Sequence, residues 1–170
     1  MLDRKSMSDI ALENAAAYAT RHHLRLVERL GFGIHGTVHV AEHEGKQDQS
    51  AIKALNSTEF YLRERAVYER LRDAGVSEVL GFHVPQLLRA DDELRVIEMT
   101  IVTRPFVLDF AGAYLDARPE FSEEIWSEWE SQKREQFGDQ WRIVEQVMSA
   151  FEELDIYLVD ISPSNVAFAH

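Results

Sequence analysis

The chain contains no cysteine, so neither a disulfide framework nor a thiolate metal site can contribute to its fold or chemistry. No apolar run approaches the ~20 residues that a bilayer-spanning helix needs. The opening residues, Met1-Leu2-Asp3-Arg4-Lys5-Ser6, lack the apolar core of a signal peptide. Basic residues are in deficit: 18 Lys and Arg stand against 30 Asp and Glu, a formal charge of −12. That balance argues against a general nucleic-acid or anionic-membrane binder, although a local basic site can still hold a phosphate. Together these absences lead to the expectation of a soluble, cytoplasmic protein with no nucleic-acid or membrane partner. What is present is an apolar fraction of 45%, enough for a core, in 170 residues, the length of one domain or one and a part.

The stretch around which the chain is organised is Gly31-Phe32-Gly33-Ile34-His35-Gly36-Thr37-Val38, which reads G-x-G-x-x-G-x-V. A dinucleotide-binding fingerprint of this kind should open a helix, so that a pyrophosphate meets the helix N-terminus. Here the continuation, Thr37 to His43, is β-branched and roughly alternating, which is a strand pattern. The glycines therefore sit in the bend of a β-hairpin. Lacking Cβ, they let the backbone approach a phosphate closely, or simply allow a tight turn. These eight residues fit both.

Around that bend the pattern predicts a short helix from Ser8 to about Thr20, capped by Ser8 and packed on the first sheet. Strands follow at 24–30, 36–44 and 50–55. In the third, alternation places Ala51, Lys53 and Leu55 on one side. Residues 57–74 read as a helix capped by Ser57 or Thr58 and ended by Gly75. Its apolar face carries Phe60, Glu64, Val67 or Tyr68, and Leu71. Glu64 on that face needs an ion partner, and Lys53 is the candidate; a solvated glutamate is the simpler reading. A further hairpin, 84–89 and 94–102, completes five antiparallel strands and one helix. Beyond Pro105 the chain becomes helical and acidic. One helix starts at Ser122, with Trp126, Trp129, Lys133 and Phe137 on one face, and stops at Gly138. Asp139 is expected to cap the next, striped by Trp141, Val144, Met148, Phe151 and Leu154. At the end, Asp160 and Asn165 flank a five-residue polar loop between two apolar runs. A carboxylate and an amide oxygen in one turn suit substrate positioning and hard-metal coordination. His22, His23 and His35 have no carboxylate at a metal-ligand spacing and read as surface or loop residues.

Taken together, these pieces resemble the protein-kinase-like superfamily. The glycine-rich loop matches Gly31, Gly33, Gly36 and Val38. The A-x-K element matches Ala51-Ile52-Lys53, the helix glutamate matches Glu64, and the catalytic-loop pattern D-x-x-x-x-N matches Asp160 to Asn165. The connection between lobes would follow Glu98-Met99. The resemblance implies an α+β, protein-kinase-like fold: a helical extension over 1–20, a five-stranded antiparallel small lobe with one helix over 21–103, and a truncated helical large lobe over 104–170. It also implies that Lys53, held by Glu64, neutralises the ATP phosphates. The main chain at Glu98 and Met99 would meet the adenine edge, Asp160 and Lys53 would be the catalytic residues, with Asp160 orienting the attacking hydroxyl, and Asn165 would hold Mg²⁺.

The chain departs from the pattern as well. The catalytic loop begins Leu158-Val159-Asp160 rather than His-Arg-Asp, and Ser162 stands where a lysine is common. No D-F-G run or activation segment follows Asn165. With that metal-binding aspartate counted as missing, the expectation is weak Mg²⁺ binding, an unpaired strand after Asn165, and a second copy or protein partner covering the exposed edge. Three functions stay open: an ATP-dependent phosphotransferase acting on a protein or small-molecule hydroxyl, a pseudokinase that senses nucleotide or binds a regulated partner, and an interaction domain without nucleotide.

Overall fold

A computed structural model describes residues 6–170 and, for Phe32, the backbone alone. Helix α1 (Met7–Arg21) starts with a reciprocal capping box. The Ser6 hydroxyl accepts the Asp9 N–H at 3.2 Å, and the Asp9 carboxylate accepts the Ser6 N–H at 3.2 Å. The cap is therefore Ser6 rather than Ser8, because only Ser6 has an acidic residue three positions on that can bond back. Ala11, Ala15 and Ala19 make one face of α1 flat enough to lie on a sheet, with Tyr18 filling the remaining depth.

That sheet has five strands: β1 (Leu24–Gly33), β2 (Gly36–His43), β3 (Gln49–Leu55), β6 (Leu87–Asp91) and β7 (Val96–Met99). Two-residue strands β4 (Glu78–Val79) and β5 (Phe82–His83) come between β3 and β6 in the chain. The spatial order is β1-β2-β3-β7-β6, antiparallel throughout. The later hairpin is shorter than its apolar run suggests, and Val84 lies outside it. Helix α2 (Thr58–Asp73) is capped by the Ser57 hydroxyl, which accepts the Phe60 N–H at 3.1 Å. It covers the sheet face opposite α1. The molecule is thus α+β, with β3 and β7 buried on both faces.

The second half adds β8 (Phe106–Val107), β9 (Tyr114–Leu115), α3 (Glu123–Phe137), α4 (Trp141–Glu152), β10 (Ile156–Tyr157) and β11 (Val166–Ala167). Ser122 caps α3 and Gly138, at φ 55, ends it. Asp139 does not cap α4. Residues Gly138–Gln140 form a turn of 3₁₀-helix that runs into α4, so the position before α4 is Gln140, already in helical geometry and with no side-chain cap. Val144, Val147 and Phe151 of α4 join Tyr68 and Leu71 of α2 in one core.

The strand after Asn165 is not left unpaired. β11 pairs antiparallel with β8, Val166 opposite Val107 and Ala167 opposite Phe106, in a small sheet ordered β11-β8-β5-β4. Its partner comes from about sixty residues upstream (166 − 107) rather than from a following strand. The pairing draws the two ends of the second half together.

Candidate active site

Lys53 lies at the centre of β3, opposite Val38 of β2 and Ile97 of β7. Pleat alternation directs it with Ala51 and Leu55 toward α2, and it is 6% exposed. Glu64 reaches it from the second turn of α2 and is fully buried. The Lys53 Nζ lies 2.8 Å from Glu64 Oε2 and donates to Oε1 at 2.9 Å, so the expected pair is formed.

A second carboxylate completes the cluster. Asp109 Oδ1 accepts from Lys53 Nζ at 2.9 Å. Asp109 is held with φ 68, in the left-handed region that non-glycine residues seldom adopt. The next residue, Phe110, gives its N–H to Glu64 Oε1 at 3.3 Å and packs its ring against Tyr68 and Phe151. Burial by itself would lower the Lys53 ammonium, but the charges of Glu64 and Asp109 outweigh it and keep the group protonated. For Asp109, burial works against ionisation. The Lys53 charge and hydrogen bond, His35 and the Ala111 N–H overcome it, leaving the carboxyl below its ordinary value. Burial pushes the Glu64 carboxyl up, with Lys53 opposing.

Asp109 opens the run Asp109-Phe110-Ala111-Gly112, which is D-F-x-G. Asp109 precedes Asp160 by about fifty residues, yet the fold brings its turn against the loop that carries Asp160. The β8–β11 pairing explains how it arrives: the turn after β8 is tied to the turn before β11, with the Leu108 N–H donating to the Asn165 carbonyl at 2.9 Å. Gly112 permits the approach. A Cβ there would sit 2.5 Å from Asp160 Cβ and 3.0 Å from its Oδ2, so only glycine lets the two turns touch. Sequence reading missed Asp109: the run Asp109-Phe110-Ala111-Gly112 is visible, but nothing local ties it to a loop about fifty residues later.

Asp160 is more than half exposed, and its Oδ2 lies 3.2 Å from His35 Nε2. His35 belongs to the glycine hairpin, whose bend is Ile34-His35 between the paired Gly33 and Gly36. Asn56 fastens this bend, donating its side-chain amide to the Ile34 carbonyl and its N–H to the His35 carbonyl, both at 2.9 Å. Gly36 is sterically required, because a Cβ would sit 2.0 Å from the Ala54 carbonyl oxygen. Gly31 and Gly33 have no such constraint and border open space. The hairpin therefore lies over the cleft with His35 on Asp160.

The loop 160–165 is internally braced. Asn165 Oδ1 accepts the Ser162 N–H at 2.7 Å and its Nδ2 donates to the Asp160 carbonyl at 2.9 Å. From outside, α3 holds it on both sides of Asp160. The Trp129 indole N–H donates to the Val159 carbonyl at 3.0 Å, and Lys133 Nζ donates to the Ile161 carbonyl at 2.6 Å. Asp109, Phe110, Asp160 and Asn165 line one small cleft of about 10 Å³, room for a single water.

Glu98 and Met99 are the last two residues of β7. Both lie within β7, between β3 and β6, so their main chain belongs to the sheet. The chain outside any strand begins directly beyond them, at Thr100. The Glu98 carboxylate faces α1, accepting from Tyr18 Oη at 2.6 Å and Ser50 Oγ at 2.8 Å. Met99 and its cross-strand partner Ala51 join the core on the α2 side.

As a donor set, Asp109 and Asn165 carry oxygens of the kind a hard divalent cation takes, although Asn165 Oδ1 already accepts the Ser162 N–H. Among the described residues, no three acidic, histidine or cysteine side chains are grouped to hold a metal by themselves. Neither a protein-family model nor a curated protein matches the chain.

Proposed function

We propose that this chain is a protein-kinase-like phosphotransferase that binds ATP with Mg²⁺ and delivers the γ-phosphoryl group to a hydroxyl. The reading rests on one observation: four separate segments are joined beneath the glycine hairpin, Lys53 pairing with Glu64 and Asp109, the turn that begins at Asp109 packing through Gly112 on Asp160, and Asp160 meeting His35 of the hairpin. A buried lysine shared by two carboxylates is poised for exchange. Phosphate oxygens arriving at Lys53 can take the place of Asp109, freeing that carboxylate to face a cation. Glu64 keeps the ammonium aimed while this happens.

The roles follow from chemistry and position. Gly31, Gly33 and Gly36 leave the hairpin backbone bare over the phosphates. Ala51, Val38 and Met99 offer apolar surface on the purine side, and the main chain past Met99 is available to the base edge. Asp109 and Asn165 would hold Mg²⁺, which when bound neutralises phosphate charge. Asp160, exposed and braced on both sides, would orient the acceptor hydroxyl and take its proton. Phosphoryl transfer needs mainly positioning and charge, and these are the properties the cluster has.

The test is calorimetry with ATP at varied Mg²⁺, joined to transfer of labelled γ-phosphate. Wild type should bind ATP more tightly with Mg²⁺ than without. Asp109→Asn should abolish that dependence, and Asp160→Asn should keep binding while lowering transfer by about 10²-fold or more. Mg²⁺-dependent binding with no transfer to any acceptor would favour a nucleotide-sensing regulator. No nucleotide binding at all would sink the proposal.

A further inference from the structure

Lys133 is the cation in this region whose partners do not account for its charge. It projects from α3 to the loop 160–165, 28 residues away in sequence (161 − 133), where its Nζ donates to the Ile161 carbonyl at 2.6 Å and to Gln136 Oε1 at 3.3 Å. Both acceptors are neutral. No carboxylate among the described residues forms an ion pair with it, in a chain whose formal charge is −12. Burial draws the ammonium below the ordinary lysine value, and Asp160 nearby pulls the other way. A half-buried ammonium without a counter-ion is costly unless something charged completes it.

Bracing the loop does not require a charge. One helical turn earlier on the same face, Trp129 braces the Val159 carbonyl with a neutral indole N–H. Lys133 does the equivalent task at Ile161 with one of three donors, which leaves the ammonium's charge unused. The loop itself supplies no cation: Ile161-Ser162-Pro163-Ser164 contains none, and the Ser162 and Ser164 hydroxyls bond each other at 2.7 Å. On the other side of the cleft, Lys53 is already matched by two carboxylates. Lys133 therefore lies beside the loop that carries Asp160, close enough for its charge to act on that carboxylate.

We infer that Lys133 is a phosphate ligand of the site, contacting the terminal phosphoryl group of the nucleotide beside Asp160. It would offset the anionic charge that otherwise repels that group from the Asp160 carboxylate, and so supply from α3 a cation that the loop lacks at Ser162. This rests on the reading of the cleft as an ATP site.

The experiment compares MgATP with MgADP, because a contact to the terminal phosphoryl group separates the two. Lys133→Gln keeps a donor for the Ile161 carbonyl and removes the charge; Lys133→Arg keeps the charge. By calorimetry, Lys133→Gln should lower ATP affinity about tenfold or more while ADP affinity stays unchanged, and Lys133→Arg should retain most of the ATP preference. Equal losses for both nucleotides would reduce Lys133 to a brace and overturn the inference, as would no loss for either. Should Lys133→Gln fail to fold, wild type labelled at lysine Cε answers the same question by NMR. The Lys133 signal, assigned from its absence in the folded Lys133→Arg protein, should shift with ATP and not with ADP; equal shifts or none overturn the inference. Wild type that binds neither nucleotide fails the underlying reading instead, a result distinct from binding without discrimination.

Discussion

Two glutamates are sealed in this protein on opposite sides of the same two strands, and their surroundings differ in kind. Glu64 faces Lys53 and, through it, Asp109. Glu98 is 1% exposed and is satisfied by the neutral hydroxyls of Tyr18 and Ser50, with His43 and Arg89 farther off at 3.8 and 3.7 Å. The Glu64 cluster opens into the cleft at its Asp109 end. The Glu98 cluster is closed over by α1. A carboxylate met by hydroxyls has acceptors and donors balanced in place, so its network acts as a fastening between helix and sheet. A lysine between two carboxylates has one acid to spare, and in the proposed function that surplus is what an arriving phosphate would redirect. The difference separates a polar network that holds the fold from one that is available for chemistry.

The sharpest way to break the comparison is to remove the cation. Lys53→Met leaves Glu64 fully buried with only the Phe110 N–H to meet it, and should cost about 3–5 kcal/mol of stability by urea denaturation. The double variant Lys53→Met, Glu64→Leu should recover most of that, since the penalty lies in the orphaned charge rather than in the lost pair. A single variant as stable as wild type would mean that the Glu64 carboxyl is neutral and the cluster is no ion cluster at all. On the other side, Tyr18→Phe removes the 2.6 Å donor to Glu98 and should cost about 1–3 kcal/mol, while leaving nucleotide affinity untouched. Loss of nucleotide binding in Tyr18→Phe would join the two clusters functionally and end the distinction.

What could be read in the sequence follows the same division between local and distant. Lys53 and Glu64 were legible because strand period and helix period each fix a side chain's face, and an acid on an apolar face demands a partner. Ser57, Ser122 and Gly138 were legible because caps and stops depend on neighbours within a turn. Asp139 was misjudged because a 3₁₀ turn kept the chain helical where a cap was expected. Ser6 was passed over for Ser8 because two serines within three residues satisfy the same pattern until the reciprocal bond from Asp9 is considered. Asp109 was out of reach for a different reason. Its role is created by a two-residue strand pairing with another nearly sixty positions away, and such short strands carry almost no periodic signal. The glycine that makes the approach possible, Gly112, has no local reason to be glycine; its constraint is the side chain of Asp160. Trp129 read as core from its spacing, yet its indole N–H donates to the Val159 carbonyl beside the loop 160–165, across thirty residues. The strand read as 94–102 ends at Met99, because the apolar run continues past the last residue that pairs in the sheet.

The mildest test of the comparison is acid. His22 stacks on Tyr18, and His39 lies opposite Ile52 on the α1 face of the sheet. Burial lowers both imidazoles, with Arg89 adding to the effect at His22 and Arg29 at His39. A histidine whose folded value is depressed binds its proton more readily when unfolded. Its contribution to stability is complete above the ordinary imidazole value of about 6.5 and declines as pH falls through the folded value. Asp109 also has a depressed folded value, but as a carboxyl it acts lower: its contribution is complete above the ordinary carboxylate value of about 3.9 and is lost only as pH falls below it. Cooling the pH from 7 toward 5 should therefore loosen the α1 side first, while the Lys53 cluster stays intact. Amide exchange read by mass spectrometry at pH-corrected labelling times should show α1 losing protection before α2. His39→Gln should flatten the part of the stability profile between neutrality and pH 5 without moving the steeper loss at lower pH. If α2 opened first, the cleft rather than the fastening would be the acid-labile side, and the assignment of the two clusters to chemistry and to hold would have to be exchanged.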